Sequence, residues 1–508
     1  MNAELAYLFR HALLRDAAYQ LQLPGDRARL HALAFELIEA AFGGRPPAPP
    51  LDAADDTIMS PHPTDFVSAE LAEHARLAME NSGDQRLQPA RVLYLHRFAQ
   101  HSEDSFRNDE AGNAWQSLSD LHTGVPRGEA LRRAAIAWRG IEKGARSILL
   151  FQDALTAFRE AGDRRSEGIA LGNLALALGE TGCSDQAEDT YKQALSIHRE
   201  SGNRRMEAVV LGNLGNLYEA TARRELAEQT LASALAIHRE LGNRRLEGIV
   251  LGSQGNIYLG ENQFEQAEHA YLQAIAICRE VGNRRSEGIA LGNLASAYRG
   301  RSQLERAEQT YQQALNIHRE TGNRRSEGVA LANLALLFDE TGRDADGQQA
   351  KLQALAIHQE VGNRRFEGIT WSSLADSYLR SGAADASELA CHQALAILRE
   401  VHDRRGECQA LNRLAQVHEA TGRADSANQI YEQALALARE LKDRYAEGNN
   451  LCALALTRLG LGDEAAARRS WAEGAAIVRE LGDPLEIEGH KAAMALACKK
   501  AGVALFEQ

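Results

Sequence analysis

The stretch Gly282-Asn283-Arg284-Arg285-Ser286-Glu287-Gly288 decides the fold of this 508-residue chain. Its pattern G-N-R-R-x-E recurs at a constant interval of 40 residues, without insertion or deletion. A fixed period of this size is typical of architectures that stack one small structural unit many times. The pattern begins at Gly202, Gly242, Gly282, Gly322 and Gly362, and related versions begin at Gly162, His402, Lys442 and Gly482.

Each 40-residue unit has the apolar spacing of two helices. In the unit that starts at Glu167, the spacing predicts a first helix from Arg164 to Gly179 and a second from Asp185 to Ser201. Gly202-Asn203 ends the second helix, because both residue types accept the left-handed conformation that stops one. One face of the first helix holds Leu171, Leu174, Ala175 and Leu178, and one face of the second holds Ala187, Tyr191, Ala194, Leu195 and His198.

Small residues recur where two helix backbones must approach. One register of the first helix holds only alanine or glycine, from Ala175 through Gly215 and Gly255 to Ala455. Large residues, among them Tyr271, recur at the same spacing on the second helix. Small-into-large packing of this kind predicts antiparallel helix pairs.

The run Leu171, Leu174-Ala175, Leu178, followed by Ala187, Tyr191 and Ala194, resembles the tetratricopeptide repeat. That family implies an all-α, right-handed superhelical solenoid of antiparallel helix pairs, with a usual unit of about 34 residues. No proline occurs between Pro126 and Pro484, so we expect the second helix to run longer and to account for the extra residues. The G-N-R-R-x-E-G variety is similar to the 40-residue repeats of the LGN/Pins adaptors and of many bacterial signalling proteins.

The repeats predict five segments along the chain. The first of eight clear units starts at Glu167, and one degenerate unit precedes it. The array therefore covers 127–486, and a capping helix covers 487–508. Before the array, the pattern predicts a helical region over 1–45, a proline-rich linker over 46–65 and a helical connector over 66–126. The first region breaks at Leu23-Pro24-Gly25, and the connector has helices from Phe66 to Asn81 and from Ala90 to Leu121.

The segment from Phe9 to Tyr19, with Arg29-Leu30-His31, resembles the winged-helix-like region that follows the ATPase core of bacterial STAND-type signalling ATPases. The sequence contains no G-x-x-x-x-G-K-[ST] phosphate loop. The resemblance therefore implies an alternative function, as the sensor portion of a STAND-type ATPase, kinase or cyclase system that lacks its own ATPase.

Composition argues against several other classes of protein. A formal charge of -13 disfavours nucleic acid and anionic membranes as partners. The six cysteines form no CxxC pair, and neither a signal peptide nor a long apolar stretch is present, so we expect a cytoplasmic protein without a disulfide framework. No Ser-His-Asp, Cys-His or paired-carboxylate arrangement stands out, which predicts no enzyme and no cofactor.

Two ladders of repeated side chains invite functional interpretations. His198, His238, His318 and His358 lie 40 residues apart. Stacked helices are ~9–10 Å apart, so these rings cannot converge on one metal ion, and we expect part-buried residues that face the next repeat. The arginine pairs could form a nucleic-acid stripe, but acids bracket each pair, so we expect salt bridges within and between repeats.

The remaining face of the first helices is polar in every unit. Carboxamides can hydrogen-bond a peptide backbone irrespective of its sequence, and this face lines the concave groove of the proteins that the repeat resembles. We therefore predict a non-enzymatic scaffold or sensor that binds a protein or extended peptide, although the asparagines could instead cap or bridge neighbouring helices. The predicted groove residues are Asn173, Asn213, Asn216, Asn256, Asn293, Arg299, Asn333, Asp339, Asp376 and Arg380.

Overall fold

Gly282-Asn283 ends one helix and begins the next in the computed structural model. Gly282 has a φ of +68°, and the amide of Asn283 donates to the carbonyl oxygen of Cys278 at 2.8 Å. The Asn283 side chain then accepts a hydrogen bond from the amide of Ser286 at 3.2 Å. The predicted helix stop is confirmed, and the same asparagine is also the N-cap of the following helix.

The structure describes residues 23–49, 51, 59–80, 85–105, 107–139, 144–481 and 484–506. In these ranges the regular structure is helical, apart from turns, which confirms the all-α class of repeated antiparallel helix pairs. The chain divides into two compact units, residues 1–250 and 251–508. None of the described helices is long and apolar enough to cross a bilayer.

In the described part of the first unit, six α-helices precede the regular repeats. Its helices, together with the helix that contains the boundary between the units, are α1 Pro24–Ala41, α2 Ser68–Met79, α3 Gln88–Asp104, α4 Asn108–Ser119, α5 Gly124–Arg139, α6 Ala145–Ala161, α7 Arg164–Glu180, α8 Ser184–Glu200, α9 Arg204–Ala220, α10 Arg224–Glu240 and α11 Arg244–Gly260, with a 3-10 helix at Pro63–Val67.

The second unit continues the same pattern of pairs to its last helix, which packs against α21 and α22. Below, A helix means the first helix of a repeat (odd numbers from α7 to α21) and B helix the second (even numbers from α8 to α22). The helices of this unit are α12 Phe264–Glu280, α13 Arg284–Gly300, α14 Leu304–Glu320, α15 Arg324–Glu340, α16 Asp344–Glu360, α17 Arg364–Arg380, α18 Ala384–Glu400, α19 Arg404–Ala420, α20 Ala424–Glu440, α21 Arg444–Gly460, α22 Glu464–Leu481 and α23 Pro484–Ala501.

The 40-residue period has a simple structural basis. From α7 to α21 every helix has 17 residues, and three residues join it to the next. The predicted bounds, Arg164 to Gly179 and Asp185 to Ser201, agree with α7 and α8 to within one residue. We expected a longer helix B to account for the extra residues, but the A and B helices are equally long, so helix B has no excess length over helix A.

Tight packing between A and B helices follows the predicted small and large registers. A Cβ atom added to Gly255 on α11 would lie 2.6 Å from the ring of Tyr271 on α12, and Tyr271 is fully buried. At the equivalent place in the first unit, Gly215 lies against Leu231. The glycines therefore let the two backbones approach around a large side chain.

A buried glutamate joins consecutive repeats. Glu287 is 1% exposed and accepts hydrogen bonds from Arg279 of the preceding B helix at 2.7 Å and from Arg284 at 2.5 Å. Arg284 also contacts Glu320 of the following B helix at 2.7 Å. The expected salt bridges within and between repeats are confirmed, and equivalent arginine–glutamate–arginine clusters surround Glu167, Glu207, Glu327, Glu407 and Glu447.

The region before the repeats departs from the sequence expectation in two places. The single helix expected from Ala90 to Leu121 is two helices, since α3 ends at Asp104 and α4 begins at Asn108. The Trp115 indole N–H donates to Glu103 at 2.7 Å, which holds α4 back against α3. The end of the proline-rich linker is also packed, because Asp65 forms a buried ion pair with Arg97 at 2.6 Å.

The resemblance of Phe9–Tyr19 to a winged-helix-like region concerns residues outside the described ranges. The described residues of the predicted 1–45 region form α1, which starts at Pro24 as the Leu23-Pro24-Gly25 break predicted. The five predicted segment boundaries stay a prediction.

Two glycines of the second unit make a matched test of the packing. In Gly328→Ala the new methyl group would lie 2.6 Å from the His358 ring, so we expect a loss of about 1–3 kcal/mol in the free energy of unfolding. In Gly292→Ala the methyl group meets nothing within 4 Å, so we expect a gain of up to about 1 kcal/mol from helix propensity. Urea unfolding of both variants checks this, and equal effects would contradict the packing.

Candidate functional site

The A helices of the second unit place polar side chains next to one another on one face. Asn256 of α11 accepts hydrogen bonds from the Asn293 side chain of α13 at 2.9 Å and from the Tyr271 hydroxyl at 2.7 Å. Two predicted groove residues are thus in contact. At this pair the carboxamides bridge neighbouring helices, which is the alternative that the sequence left open, and the Asn256 oxygen has two donors already.

Charged side chains continue this face toward the C-terminus. Arg299 of α13 lies 3.8 Å from Glu340 of α15, and one of its terminal nitrogens is buried without a hydrogen-bond partner in the described part of the chain. Asp339 of α15 pairs with Arg380 of α17 at 2.8 Å. Arg380 also contacts Asp344 at 3.2 Å. A ladder of ion pairs therefore joins α13 to α15 and α15 to α17.

The ladder reaches α19 through Asp376, which pairs with Arg413. Asn333 of α15 is half-buried and lines a cavity that Arg413 also lines. The structure therefore brings the predicted residues of the second unit together on one face.

In the first unit Asn173 of α7 and Asn213 of α9 share one register, and Asn216 of α9 stands in the register of Asn256. Asn173 and Asn213 are half-buried, while Asn216 is exposed. The Asn173 side-chain nitrogen is buried and has no hydrogen-bond partner among the described residues. A buried amide without a partner is costly, so a hydrogen-bond acceptor placed beside this nitrogen would be stabilising.

Glycines keep space open beside the polar registers. Gly252 and Gly292 are half-buried, yet a Cβ atom on either would meet nothing within 4 Å. In the first unit, a Cβ atom on Gly212 would have Val250 as its neighbour at 3.8 Å. A position that is partly covered and still open at its Cβ leaves room beside the polar side chains, as a groove requires.

Three residues that line the cavity beside Asn333 were missed by the sequence analysis. Lys351 stands in the register that holds Tyr271 and Tyr311, and it is 1% exposed. Arg413 stands in the register of Asn333, and Ser372 in the register of Gly292. Each of the three differs from the residue at the equivalent position of other repeats, and this difference is visible in the sequence. The sequence alone does not show that three such positions, in different repeats, lie close together in space.

The histidine ladder is more deeply buried than expected. His198, His238, His318 and His358 are at most 2% exposed. His318 and His358 pack against Gly288 and Gly328 of their own repeat. The His358 ring also lies 5.6 Å from the ring of Phe366 on the next A helix, as the expectation that these residues face the next repeat requires. Burial lowers the pKa of all four, that of His358 to about 4. No three His, Cys, Asp or Glu side chains group as a metal site among the described residues.

Outside the repeats, several of the groups with shifted pKa values lie between α3 and α5. Burial lowers the pKa of His96 to about 3 and raises that of Glu103. Glu103 accepts from Trp115, and Glu129 accepts from Arg132 and Arg133 at 2.7 and 2.8 Å. Each of these two carboxylates has its partners inside the helix packing, which is typical of a structural ion-pair network.

These features define a tandem helical-repeat protein with a polar face on its A helices. Residues 206–280, 286–360 and 366–440 match the family model described as tetratricopeptide repeat. Residues 206–440 of this chain are therefore tetratricopeptide repeats, and this is the fold of a protein-interaction scaffold. No curated protein sequence matches the chain.

Several solved structures are similar in fold. A Rap protein complexed with competence and sporulation factor is 14% identical, with coverage of 70% of this chain and 99% of that one and a TM-score of 0.48. A STAND protein with a tetratricopeptide repeat sensor from Pyrococcus horikoshii is 13% identical, with 85% and 74% coverage and a TM-score of 0.44. A putative kinesin light chain from Podosopora anserina is 19% identical, with 38% and 95% coverage and a TM-score of 0.33.

Proposed function

We propose that the polar face of the A helices binds a protein segment or an extended peptide, and that the chain acts as a scaffold or sensor without catalysis. The observation that carries this proposal is the recess in which half-buried polar groups lie beside open space, at Gly252 and Gly292. Polar groups in a recess lose water without gaining full protein partners, so a ligand that supplies those hydrogen bonds is favoured.

The chemistry of the face suits a polypeptide backbone. Asn173 and Asn333 each offer a donor and an acceptor, which match the carbonyl and amide groups of a peptide whatever its sequence. Among the described residues, neither the Asn173 nitrogen nor one buried nitrogen of Arg299 has a hydrogen-bond partner. These donors would orient the bound segment and favour segments that place hydrogen-bond acceptors beside them.

Replacing three carboxamides tests the proposal. We expect Asn213→Ala, Asn293→Ala and Asn333→Ala together to lower affinity for the native partner at least about tenfold, because each lost hydrogen bond costs about 0.5–1.5 kcal/mol. The measurement is affinity capture from the native host with the full chain, followed by titration of the captured partner.

The matched control changes three exposed polar residues of B helices, Gln193→Ala, Gln313→Ala and Asn316→Ala. It should leave the affinity unchanged. If the groove variant retains the partner at full affinity while its helical content is normal, the partner binds elsewhere and the proposal is wrong.

A further inference from the structure

A cavity of about 180 Å³ opens in the second unit next to Asn333. Its walls come from α15, α17 and α19, with Lys351 of α16 and Leu398 of α18. It forms where the repeat pattern fails, because Lys351 replaces the large tyrosine found at Tyr271 and Tyr311. A volume below the ~300–1,000 Å³ of typical small-molecule pockets fits one side chain or a short acid.

Lys351 lines this cavity and carries a buried cation. Its ammonium group donates to the Asp339 carboxylate and to the Ser377 hydroxyl, the latter at 2.6 Å. An ammonium group has three hydrogens, and the third has no acceptor among the described residues. Burial lowers the pKa of Lys351, and Asp339 opposes that shift. A further acceptor in the cavity would complete the coordination of this ammonium group.

Ser372 offers a second unsatisfied group. Its hydroxyl is buried, with the residue 6% exposed, and has no hydrogen-bond partner in the described part of the chain. Ser372 lines the same cavity as Lys351. Buried hydroxyl groups nearly always have a partner, so this one can hydrogen-bond an occupant of the cavity.

The rest of the wall fixes the chemistry of the occupant. Among the described residues that line the cavity, the charged ones are Lys351 and Arg413, both cations. Their carboxylate partners, Asp339 and Asp376, are not part of the lining. The apolar wall consists of Val329, Leu336, Phe366, Ile369 and Leu398.

We propose that this cavity receives a carboxylate on a short apolar stem, carried by an acidic side chain of the protein segment bound along the A helices. The carboxylate accepts from Lys351 and Ser372, and the stem packs on the apolar wall. Because the source of the carboxylate is that bound segment, the inference rests on the proposed function. A free short-chain acid has the same chemistry, and the experiment separates the two sources.

The test uses the full chain and ligand-observed NMR titrations with four probes. Butyrate and n-butanol share the apolar stem and differ in charge. The capped peptides acetyl-Ala-Glu-Ala-amide and acetyl-Ala-Gln-Ala-amide differ only in the carboxylate. We expect butyrate to bind at least tenfold more tightly than butanol, and the glutamate peptide at least tenfold more tightly than the glutamine peptide.

Two variants assign the effect to this cavity. Lys351→Met and Ser372→Ala should each reduce the preference for the carboxylate probes, and Ser372→Ala keeps the fold because Ala332 occupies the same register. Lys192→Met, at an exposed lysine of α8, is the control and should change nothing. Circular dichroism checks that each variant is folded.

The outcomes distinguish the chemistry of the cavity from the source of the carboxylate. If butyrate binding depends on Lys351 but the two peptides bind equally, the cavity chemistry holds, and the protein segment as its source is overturned. If carboxylate and neutral probes bind equally, or Lys351→Met and Ser372→Ala change nothing, the inference is overturned. Neither result tests whether the A-helix face binds a protein segment. The variant of Asn213, Asn293 and Asn333 tests that proposal separately.

Discussion

Asp339→Ala is expected to lower the free energy of unfolding of the second unit by about 3 kcal/mol, because it leaves the Lys351 ammonium group buried without its carboxylate partner. The loss should be smaller at high pH, where Lys351 deprotonates and no buried charge remains. Hydrogen exchange of α15–α17 is the appropriate measurement, because repeat arrays do not always unfold in one step and global unfolding can average over local effects.

Asp344→Ala is the matched control for this prediction. Asp344 also pairs with Arg380, at 3.2 Å, but its side chain is 63% exposed. Removal of an exposed partner should change stability by less than about 1 kcal/mol. If the two variants destabilise α15–α17 equally, leaving the buried Lys351 without its carboxylate costs no more than losing an exposed ion pair, and the prediction is wrong.

Acidification is expected to destabilise the repeats that carry buried histidines. The pKa of His358 is about 4 in the folded chain against 6.5 for an ordinary histidine, with burial as the main cause and Arg325 adding to it, while Glu367 opposes. The unfolded chain therefore takes up the proton first, so stability falls as the pH drops from about 6.5 to about 4. For His358 alone the loss amounts to about 3 kcal/mol below both values.

His358→Leu should remove this histidine's share of the acid sensitivity. The repeat itself shows that leucine fits, since Leu398 occupies the same register and packs against Gly368. We expect the urea midpoint of the variant to fall less than that of the unchanged chain between pH 7 and pH 4.5. An identical pH dependence in both proteins would mean that His358 is protonated at no cost, contrary to its burial.

The sequence predicts the repeat geometry well because the same local signals occur many times. Asparagine or aspartate at the N-cap and the alanine or glycine register each recur every 40 residues, and so does glycine after the B helix except at His402 and Lys442. These signals are local, so propensity and spacing alone place α7 and α8 to within one residue. Outside the repeats each signal occurs once, and the break between α3 and α4 depends on the contact of Trp115 with Glu103.

The candidate site was only partly predictable, for a different reason. The registers of Asn256, Asn293, Arg299 and Asp339 follow from the helical period. The helical period does not show whether two of those side chains hydrogen-bond to each other. That depends on distances between helices, such as the 2.9 Å between the side chains of Asn293 and Asn256. The cavity beside Lys351 likewise requires departures from the pattern in several repeats to meet in space.

Site-specific photo-crosslinking tests most directly whether the A-helix face is the binding surface. A benzophenone side chain would replace Asn333 on α15 or, as the control, the exposed Asn316 on α14 of the neighbouring B layer. The proposed function predicts that the partner captured from the native host crosslinks through position 333 and not through position 316. Crosslinks through position 316 alone would contradict it.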